Sequence, residues 1–371
     1  MSLIIVGCSA VLSGCGSLLK LRAPIRHSSD DVTMFGKTAS REFTDSSTFT
    51  FPLKVIWEYD ASAGFGNGSP IVIGNILFMG TLQGELHAVD IETGKRVSYM
   101  KTFAPVSSSP IFYKKYLIVG TEANSENLLS IDTEDGDIRW TQNVGGVVSS
   151  PAIKDDLLFV GGLDGKFYCF EAAYGSKKWV FDTGYPIRSS SCVSGELVFC
   201  ANTNGTVFAF DMNTGSVKWK YKTKNGVFAG ITEAHGKIFA GSRDSNLYVL
   251  AAASGALERK ISVGNMIMST PAIDNNAIYV PLMDGSISSF SISDGSLIWK
   301  FQSKSAINTT PIITPQAIFV TSLDQFVYAI SPVDGSVLWK RDFESRIKTT
   351  PLVWKNSLII ACEDKNIYLL R

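Results

Sequence analysis

The chain has 371 residues, of which 45% are hydrophobic and only 18% are charged, so it can bury a large core. Lys plus Arg and Asp plus Glu are balanced at 34 each, and this absence of a basic field argues against nucleic acid as a partner. Neither the three histidines nor the six cysteines are spaced as metal ligands, and no CxxC is present, so the sequence predicts no metal site.

The N-terminus carries a short apolar run, residues 1–14, that ends in Leu12-Ser13-Gly14 and is followed by Cys15. The pattern resembles a bacterial lipobox, which predicts a lipoprotein signal peptide over 1–14 and lipidation of Cys15. Cys8 ends a looser match, but very few residues precede it. The residue after Cys15 is Gly16 rather than Asp, and by the sorting rule of Gram-negative lipoproteins this implies that the chain is sent to the outer membrane. The alternative is an apolar N-terminus that is not processed.

Residues 15–50 are predicted to form the lipidated end and a flexible tether, because they are rich in Ser, Thr and charge and show no sustained period. A flexible segment of about 35 residues has an r.m.s. reach of roughly 30–35 Å. The tether would let a globular body turn freely above a lipid surface. No later stretch approaches the ~18 apolar residues of a membrane-spanning helix.

Residues 51–371 are built on a repeat of about forty residues. It is clearest at one step, usually Ser or Thr followed by Pro, which occurs at Ser69-Pro70, Ser109-Pro110, Ser150-Pro151, Ser190-Ser191, Gly230-Ile231, Thr270-Pro271, Thr310-Pro311 and Thr350-Pro351. Such even spacing leaves little room for inserted domains.

Each repeat divides into four short apolar segments separated by turn residues, as in the copy from Ser149 to Thr183. This pattern predicts an all-β fold, an eight-bladed β-propeller of four-stranded antiparallel blades. Solenoids and sandwiches are the rivals. A solenoid needs capping repeats, whereas here the chain ends after a third strand, Asn366 to Leu370. The missing fourth strand is supplied by Leu53 to Tyr59, which closes the ring.

A tryptophan recurs at one position of the fourth segment in six of the eight repeats: Trp57, Trp140, Trp179, Trp219, Trp299 and Trp339. Burying one indole removes about 150–250 Å² from water. We expect these rings to join neighbouring blades rather than to bind a ligand.

Acidic or amide residues also recur every forty residues, at Asp164, Asn204, Asp244, Asp284, Asp324 and Asp364. A ring of carboxylates could bind a cation. Tight hairpin turns favour the same residues, especially before Gly, so we interpret them as turn formers.

The candidate binding residues lie where the repeat is irregular. Four residues before the Pro position of the step stands a regular Val or Ile, including Ile187. The next position varies: Asn67, Ser107, Val148, Arg188, Phe228, Met268, Asn308 and Lys348. Alternation turns this position towards the channel mouth or the loop face. An apolar patch with a cationic rim is predicted from three residues of successive repeats, Arg188, Phe228 and Met268. The alternative is that these are ordinary loop residues without a binding role. The fifth repeat is also irregular at Gly230-Ile231, Ala251 and Arg259.

The segments NGTVFAFDMNTGSVKW and DGSISSFSISDGSLIW, each after a small-residue step, resemble the quinoprotein-type (PQQ-like) propeller repeat. Eight repeats after a lipobox, ending in DKNIYLLR, are similar to the BamB family of outer-membrane assembly lipoproteins. The resemblance implies a non-enzymatic scaffold on the periplasmic face of the outer membrane. It also implies docking to a BamA-like β-barrel protein, with other assembly lipoproteins and unfolded β-barrel clients as further partners. The family's partner-binding loop best matches Pro186-Ile187-Arg188.

Two other functions remain open. One is a propeller that binds a carbohydrate or another envelope protein, because one fold serves many ends. The other is a quinoprotein dehydrogenase, but those enzymes carry adjacent cysteines and long inserted loops that this sequence lacks. We therefore predict no catalytic residue and no cofactor.

Overall fold

The computed structural model describes residues 18–21 and 23–371. Its strands form eight four-stranded antiparallel sheets, the blades of a β-propeller, which confirms the predicted fold. Cys15 and residues 1–14, where we predict lipidation, lie outside the described residues. Within the described part, no helix has the length and apolar character needed to cross a bilayer.

The blades follow one another in chain order, each running from its inner to its outer strand. Blade 1 contains β2 (Ile71–Ile73), β3 (Ile76–Gly80), β4 (Glu85–Asp90) and β5 (Arg96–Lys101). Blade 2 contains β6 (Ile111–Tyr113), β7 (Tyr116–Gly120), β8 (Leu128–Asp132) and β9 (Ile138–Gln142). Blade 3 contains β10 (Ala152–Lys154), β11 (Leu157–Gly161), β12 (Lys166–Glu171) and β13 (Lys177–Asp182). Blade 4 contains β14 (Cys192–Ser194), β15 (Leu197–Ala201), β16 (Thr206–Asp211) and β17 (Val217–Lys222).

The second half of the ring repeats the same order. Blade 5 contains β18 (Thr232–Ala234), β19 (Lys237–Gly241), β20 (Asn246–Ala251) and β21 (Leu257–Ser262). Blade 6 contains β22 (Ala272–Ile273), β23 (Ala277–Pro281), β24 (Ser286–Ser291) and β25 (Leu297–Gln302). Blade 7 contains β26 (Ile312–Ile313), β27 (Ile318–Thr321), β28 (Phe326–Ile330) and β29 (Val337–Asp342). Blade 8 contains β30 (Leu352–Trp354), β31 (Ser357–Ala361), β32 (Asn366–Leu370) and, from the other end of the chain, β1 (Val55–Asp60).

The two ends of the propeller close the ring as predicted. Strand β1 pairs antiparallel with β32, with Trp57 opposite Leu369 and Asp60 opposite Asn366. The outer strand of blade 8 is therefore β1, which lies before the other seven blades in the sequence. Because the chain runs from β1 directly into blade 1, the pairing of β1 with β32 joins the last blade to the first.

The repeated tryptophans join adjacent blades, which confirms their structural interpretation. Five indole N–H groups donate hydrogen bonds to backbone carbonyls of the next blade: Trp57 to Ile91, Trp140 to Ala172, Trp179 to Met212, Trp219 to Ala252 and Trp299 to Pro332. Each indole ring lies against a turn glycine of the next blade. A Cβ on Gly255, whose φ is +71°, would lie 2.5 Å from Cδ2 of Trp219, so this contact requires glycine.

Blade 5 keeps this contact without a tryptophan. The guanidinium of Arg259 donates to the carbonyls of Ile292 at 3.1 Å and Ser293 at 2.6 Å, and its stem lies against Gly295. Arg259 thus supplies both the N–H donor and the covering apolar surface of the missing indole. The irregularity at this position is structural.

The Ser/Thr of the repeated step also links the blades. Four of these hydroxyls accept a hydrogen bond from the step amide of the preceding blade: Ser109 from Ser69, Ser150 from Ser109, Ser190 from Ser150, and Thr350 from Thr310. A small residue is needed because the inner strands crowd around the axis, and a hydroxyl is useful because the amide needs an acceptor.

Residues 23–54, which we call the strap, lie against the propeller, whereas the sequence predicted a flexible tether there. The backbone of the strap bonds to the inner strands of five blades, through Val32 to Val72, Thr33 to Phe112, Ala39 to Val193, Ser40 to Glu233 and Phe43 to Ile313. Those inner strands have one edge with no neighbour in their own sheet, so the strap provides partners for polar groups that would otherwise lack them.

Arg41 anchors the strap at the centre of the ring. Its side chain is fully buried and donates to the carbonyls of Ser150, Pro151 and Ser191 at 2.8–2.9 Å, as well as to that of Phe35. Burial lowers its pKa to about 10. The sequence did not predict this docking because the few anchoring side chains are isolated among polar residues and show no period.

Candidate partner-binding face

The propeller has two different faces. On one face the strap crosses the ring, and Phe35 closes the central channel. On the other, which we call the loop face, lie the connections that lead from an outer strand to the next inner strand, such as 183–191, 223–231 and 263–271. The channel opens on the loop face, where it forms a cavity of about 100 Å³.

Alternation along these connections produces one buried ring and one accessible ring. Buried residues occupy the regular position: Val106, Val147, Ile187, Val227, Ile267, Ile307 and Ile347. A Cβ on Gly161 would overlap the side chain of Ile187, so glycine at the end of β11 makes room for it. Ile187 is 0% exposed and cannot touch a partner, which corrects its assignment as a binding residue.

The variable position faces the channel mouth, as the alternation predicted. Seven of its eight residues line the cavity: Asn67, Ser107, Val148, Arg188, Phe228, Met268 and Asn308. Arg188 is exposed, while Phe228 and Met268 are half-buried. The structure thus brings these three predicted residues to one side of the mouth.

Phe228 lies close to two guanidinium groups. The Cζ atoms of Arg188 and Arg243 lie 6.0 Å and 4.9 Å from the centre of its ring, within the range of cation–π attraction. Among the described residues, neither guanidinium pairs with a carboxylate. We call Arg188, Phe228, Arg243 and Met268 the mouth patch. Two cations on one aromatic ring repel each other, so an acidic group brought to the patch would be attracted by both.

On the opposite side of the mouth, a carboxylate lies between two cations. Glu363 binds both Lys348 and Arg346, the latter at 2.6 Å. Burial alone would raise the pKa of Glu363, but the two cations hold it below the ordinary value. Arg346 and Lys348 thus share one carboxylate, whereas Arg188 and Arg243 of the mouth patch have none among the described residues.

The repeated Asp residues are turn formers, as interpreted from the sequence. In four of the eight blades the carboxylate accepts a hydrogen bond from a tyrosine hydroxyl four residues later: Asp164 from Tyr168, Asp244 from Tyr248, Asp324 from Tyr328 and Asp364 from Tyr368. Each also accepts a backbone N–H of its own turn. Burial, and then Asp244, raise the pKa of Tyr248 to about 12. The part of the chain that the structure describes contains no His, Cys, Asp and Glu group suited to a metal ion.

The four cysteines of the repeats are free and buried, in agreement with their interpretation as small hydrophobic residues. Burial raises the pKa of the Cys169 thiol to about 12, and it raises that of Cys200 well above the ordinary value. A thiol in such surroundings is not a reactive nucleophile.

Arg243 was not predicted as a binding residue, although the sequence contains a pattern that could have identified it. It stands directly before a turn residue, and this position is as irregular as the one that revealed Arg188: Leu163, Thr203, Arg243, Met283, Leu323 and Glu363. Arg243 belongs to the mouth patch, and Glu363 binds Lys348 and Arg346 on the opposite side of the mouth.

The sequence matches the family described as outer membrane protein assembly factor BamB over residues 54–147, 142–234 and 222–322. An outer membrane protein assembly factor BamB of Burkholderia pseudomallei is 27% identical over 149 residues. That match covers 39% of this chain and 38% of the relative's own length.

Solved structures of the same shape include BamB from Moraxella catarrhalis, at a TM-score of 0.75 and 14% identity, covering 86% of this chain and 99% of that one. Quinohemoprotein alcohol dehydrogenase from Comamonas testosteroni has a TM-score of 0.79 and 12% identity, covering 92% and 80%. Identities this low show a common fold and nothing further about activity.

Proposed function

We propose that this chain, which belongs to the family of outer membrane protein assembly factor BamB, is a non-enzymatic scaffold in the assembly of outer-membrane β-barrel proteins. It would bind a BamA-type partner through the loop face. The observation that carries this proposal is the mouth patch, where both Arg188 and Arg243 lie within cation–π range of Phe228. Arginine and aromatic residues dominate the energetics of protein interfaces.

The mouth patch defines the chemistry of the partner surface. It offers a half-buried ring, a half-buried thioether and two guanidinium groups that have no carboxylate partner in the described part of the chain. A complementary surface would present an apolar side chain for Phe228 and Met268, with one or two carboxylates beside it. Such pairs set the orientation of docking and accelerate association.

The rim of the propeller is less suited to binding by strand addition. Each of the eight outer strands contains a register shift next to the position of its tryptophan or of the residue that replaces it. Such bulges interrupt the row of backbone groups that an added strand would need. We therefore place the partner on the loop face, and pairing of client strands with the rim is the weaker possibility.

Anchoring at Cys15 and a periplasmic-facing position at the outer membrane belong to the same proposal. Leu18 lies at the rim between blades 1 and 2, where its carbonyl accepts a hydrogen bond from the Ser98 hydroxyl. Only two residues lie between Cys15 and Leu18, which limits the distance between these two to about 10 Å. The anchor would then hold this edge of the propeller close to the lipid surface rather than at the end of a long tether.

A dehydrogenase function has less support. The alcohol dehydrogenase shares the fold at 12% identity, and the channel cavity of about 100 Å³ is well below the roughly 300–1,000 Å³ of sites for drug-sized ligands. Addition of PQQ should produce neither a thermal shift nor dye-linked alcohol oxidation, and either response would contradict the scaffold role. No described feature favours a carbohydrate ligand, although another envelope protein remains the rival partner.

Affinity capture from solubilised membranes tests the proposal. The wild-type chain should retain a BamA-type barrel protein, and Arg188→Glu should lose it. Lys304→Glu is the matched control, because it makes the same charge change at an exposed residue of the loop face, three blades away. Capture of no BamA-type protein by the wild type would overturn the role. Equal capture by Arg188→Glu and the control would overturn the site.

A further inference from the structure

A groove lies between blades 6 and 7 on the face that the strap crosses, opposite the mouth patch. Its volume is about 530 Å³, and Thr44 of the strap forms part of its inner end. Ile298 and Val333, which are 48% and 80% exposed, line its outer end together with Pro315 and Pro332. The accessible wall at this end is therefore aliphatic.

This aliphatic pair occurs at only one seam between blades. Ile298 stands directly before the repeated tryptophan position, and Val333 stands two residues before the turn glycine of the next blade. The equivalent pairs of six other seams each contain at least one polar or charged residue: Ile56 and Glu92, Val97 and Glu134, Arg139 and Ala173, Lys178 and Asn213, Lys218 and Ala253, and Glu258 and Ser293. The fold therefore does not require two exposed aliphatic side chains here, and such a patch is typical of an interaction site.

The inner end of the groove is acidic. It adjoins a second space of about 420 Å³, with which it shares Thr44 and Asp274. Glu42 and Glu233 also line that space, and none of these three carboxylates forms a salt bridge in the described part of the chain. The exposed His235 is the one lining residue there that can carry a positive charge. The two ends of the groove thus differ in chemistry, with carboxylates at one and aliphatic side chains at the other.

The path of the strap leaves this groove open. The Ser40 carbonyl accepts the Glu233 amide of blade 5, and the Phe43 carbonyl accepts the Ile313 amide of blade 7. Over the residues that the structure describes, no backbone group of the strap bonds to β22 of blade 6, which lies between them. Four strands at about 4.8 Å give a blade roughly 14 Å wide, which about four extended residues span.

We propose that this groove binds an extended segment of a partner protein in which a Lys or Arg stands next to aliphatic residues. The aliphatic side chains cover Ile298 and Val333 and remove them from water, while the cation meets Glu42 and its neighbouring carboxylates. An acidic segment is repelled by these carboxylates, and a polar one gains nothing from the aliphatic wall. The inference does not depend on docking at the mouth patch, which lies on the other face.

Fluorescence anisotropy with short peptides tests the inference. The probe is the peptide Lys-Leu-Val-Leu-Lys with blocked ends and a neutral dye, and it should bind the full chain saturably. The peptides Glu-Leu-Val-Leu-Glu and Lys-Ser-Thr-Ser-Lys should bind at least about fivefold more weakly. The Kd of the first peptide should also rise at least about fivefold in Glu42→Lys and in Val333→Ser. Both side chains are exposed, so neither change should lower Tm.

Matched controls make the same changes outside the groove. Glu344→Lys alters an exposed residue of the loop face, and Val337→Ser alters a half-exposed residue of β29 that does not line the groove. Both controls, and the mouth-patch variant Arg188→Glu, should keep the wild-type Kd. Equal binding of all three peptides, or of none, would overturn the inference. A wild-type Kd in either Glu42→Lys or Val333→Ser would overturn it as well, because the proposed recognition needs both ends of the groove.

Discussion

The hydroxyl of Tyr59 lies 2.8 Å from Nδ1 of His87, across the seam between the last blade and the first. Tyr59 belongs to β1, the strand that completes blade 8, and His87 to β4 of blade 1. Nε2 of His87 lies 3.2 Å from a carboxylate oxygen of Glu85, and the ring stacks on Tyr99. The closure of the ring thus includes a buried histidine whose pKa is lowered by its burial.

The stability of the closed ring should fall in mild acid because of His87. Burial lowers the pKa of His87 below its ordinary value of about 6.5, so the folded state holds this ring neutral while the unfolded chain takes up a proton. The free energy of unfolding is then fully retained above about pH 6.5 and decreases as the pH falls through the lower folded-state pKa. Urea midpoints measured from pH 7.5 to 5 should show this decrease, and His87→Gln should flatten it. The other histidines, His27 and His235, are exposed and remain in the variant, so an equal slope in both proteins would exclude His87 as the cause.

The contact between blades should tolerate Trp or Arg but not Ala. Trp299 is 7% exposed and its indole N–H bonds to the Pro332 carbonyl at 2.9 Å, so Trp299→Ala should cost about 3–5 kcal/mol of unfolding free energy. Arg259→Ala should cost about 1–3 kcal/mol, because two carbonyls lose their donor. Arg259→Trp should remain within about 1 kcal/mol of the wild type, since it restores the residue of the other blades. Urea unfolding followed by circular dichroism measures all three, and a large loss in Arg259→Trp would show that blade 5 is built differently.

The strap should contribute to stability through Arg41. Arg41→Met removes the donor from four carbonyls, three of which lie in the inner region of blades 3 and 4. We expect faster cleavage of residues 23–54 by chymotrypsin and a lower Tm. Arg26→Ala, at an exposed residue of the strap, is the control and should change neither. If Arg41→Met behaved like Arg26→Ala, the strap would be the loose tether that the sequence suggested.

Lipidation should depend on Cys15 and not on Cys8. Cys15→Ser should move the chain from the membrane fraction to the soluble periplasmic fraction and abolish its labelling by an alkyne-tagged fatty acid. Cys8→Ser is the matched control, because it changes the same residue type within the proposed signal peptide. Labelling retained in Cys15→Ser and lost in Cys8→Ser would move the anchor to the second candidate, and no labelling of the wild type would remove the anchor from the account.

The sequence predicted the parts of the fold that repeat. Eight steps at nearly equal spacing, together with Trp57 far from the other tryptophans, were enough to predict eight blades and their closure by β1. The strap was not predicted, because Arg41 donates to backbone carbonyls, and Phe35 lines a channel, that exist only in the assembled ring. Such contacts depend on the fold as a whole and leave no period in the sequence.

The candidate site was predicted in part for the same reason. Alternation placed Arg188, Phe228 and Met268 at the mouth, but it also requires their neighbour Ile187 to be buried, and this consequence was overlooked. Arg243 comes from a different turn and meets Phe228 only in three dimensions.

The central claim is that the mouth patch is the docking site for a BamA-type partner. The most direct test is the dissociation constant between the purified chain and the purified barrel protein of the same organism, measured by surface plasmon resonance. We predict that Arg188→Glu and Phe228→Ala each raise it at least about tenfold, or ~1.4 kcal/mol, while Lys304→Glu leaves it unchanged. Wild-type affinity in both mouth-patch variants, or an equal loss in the control, would contradict the account.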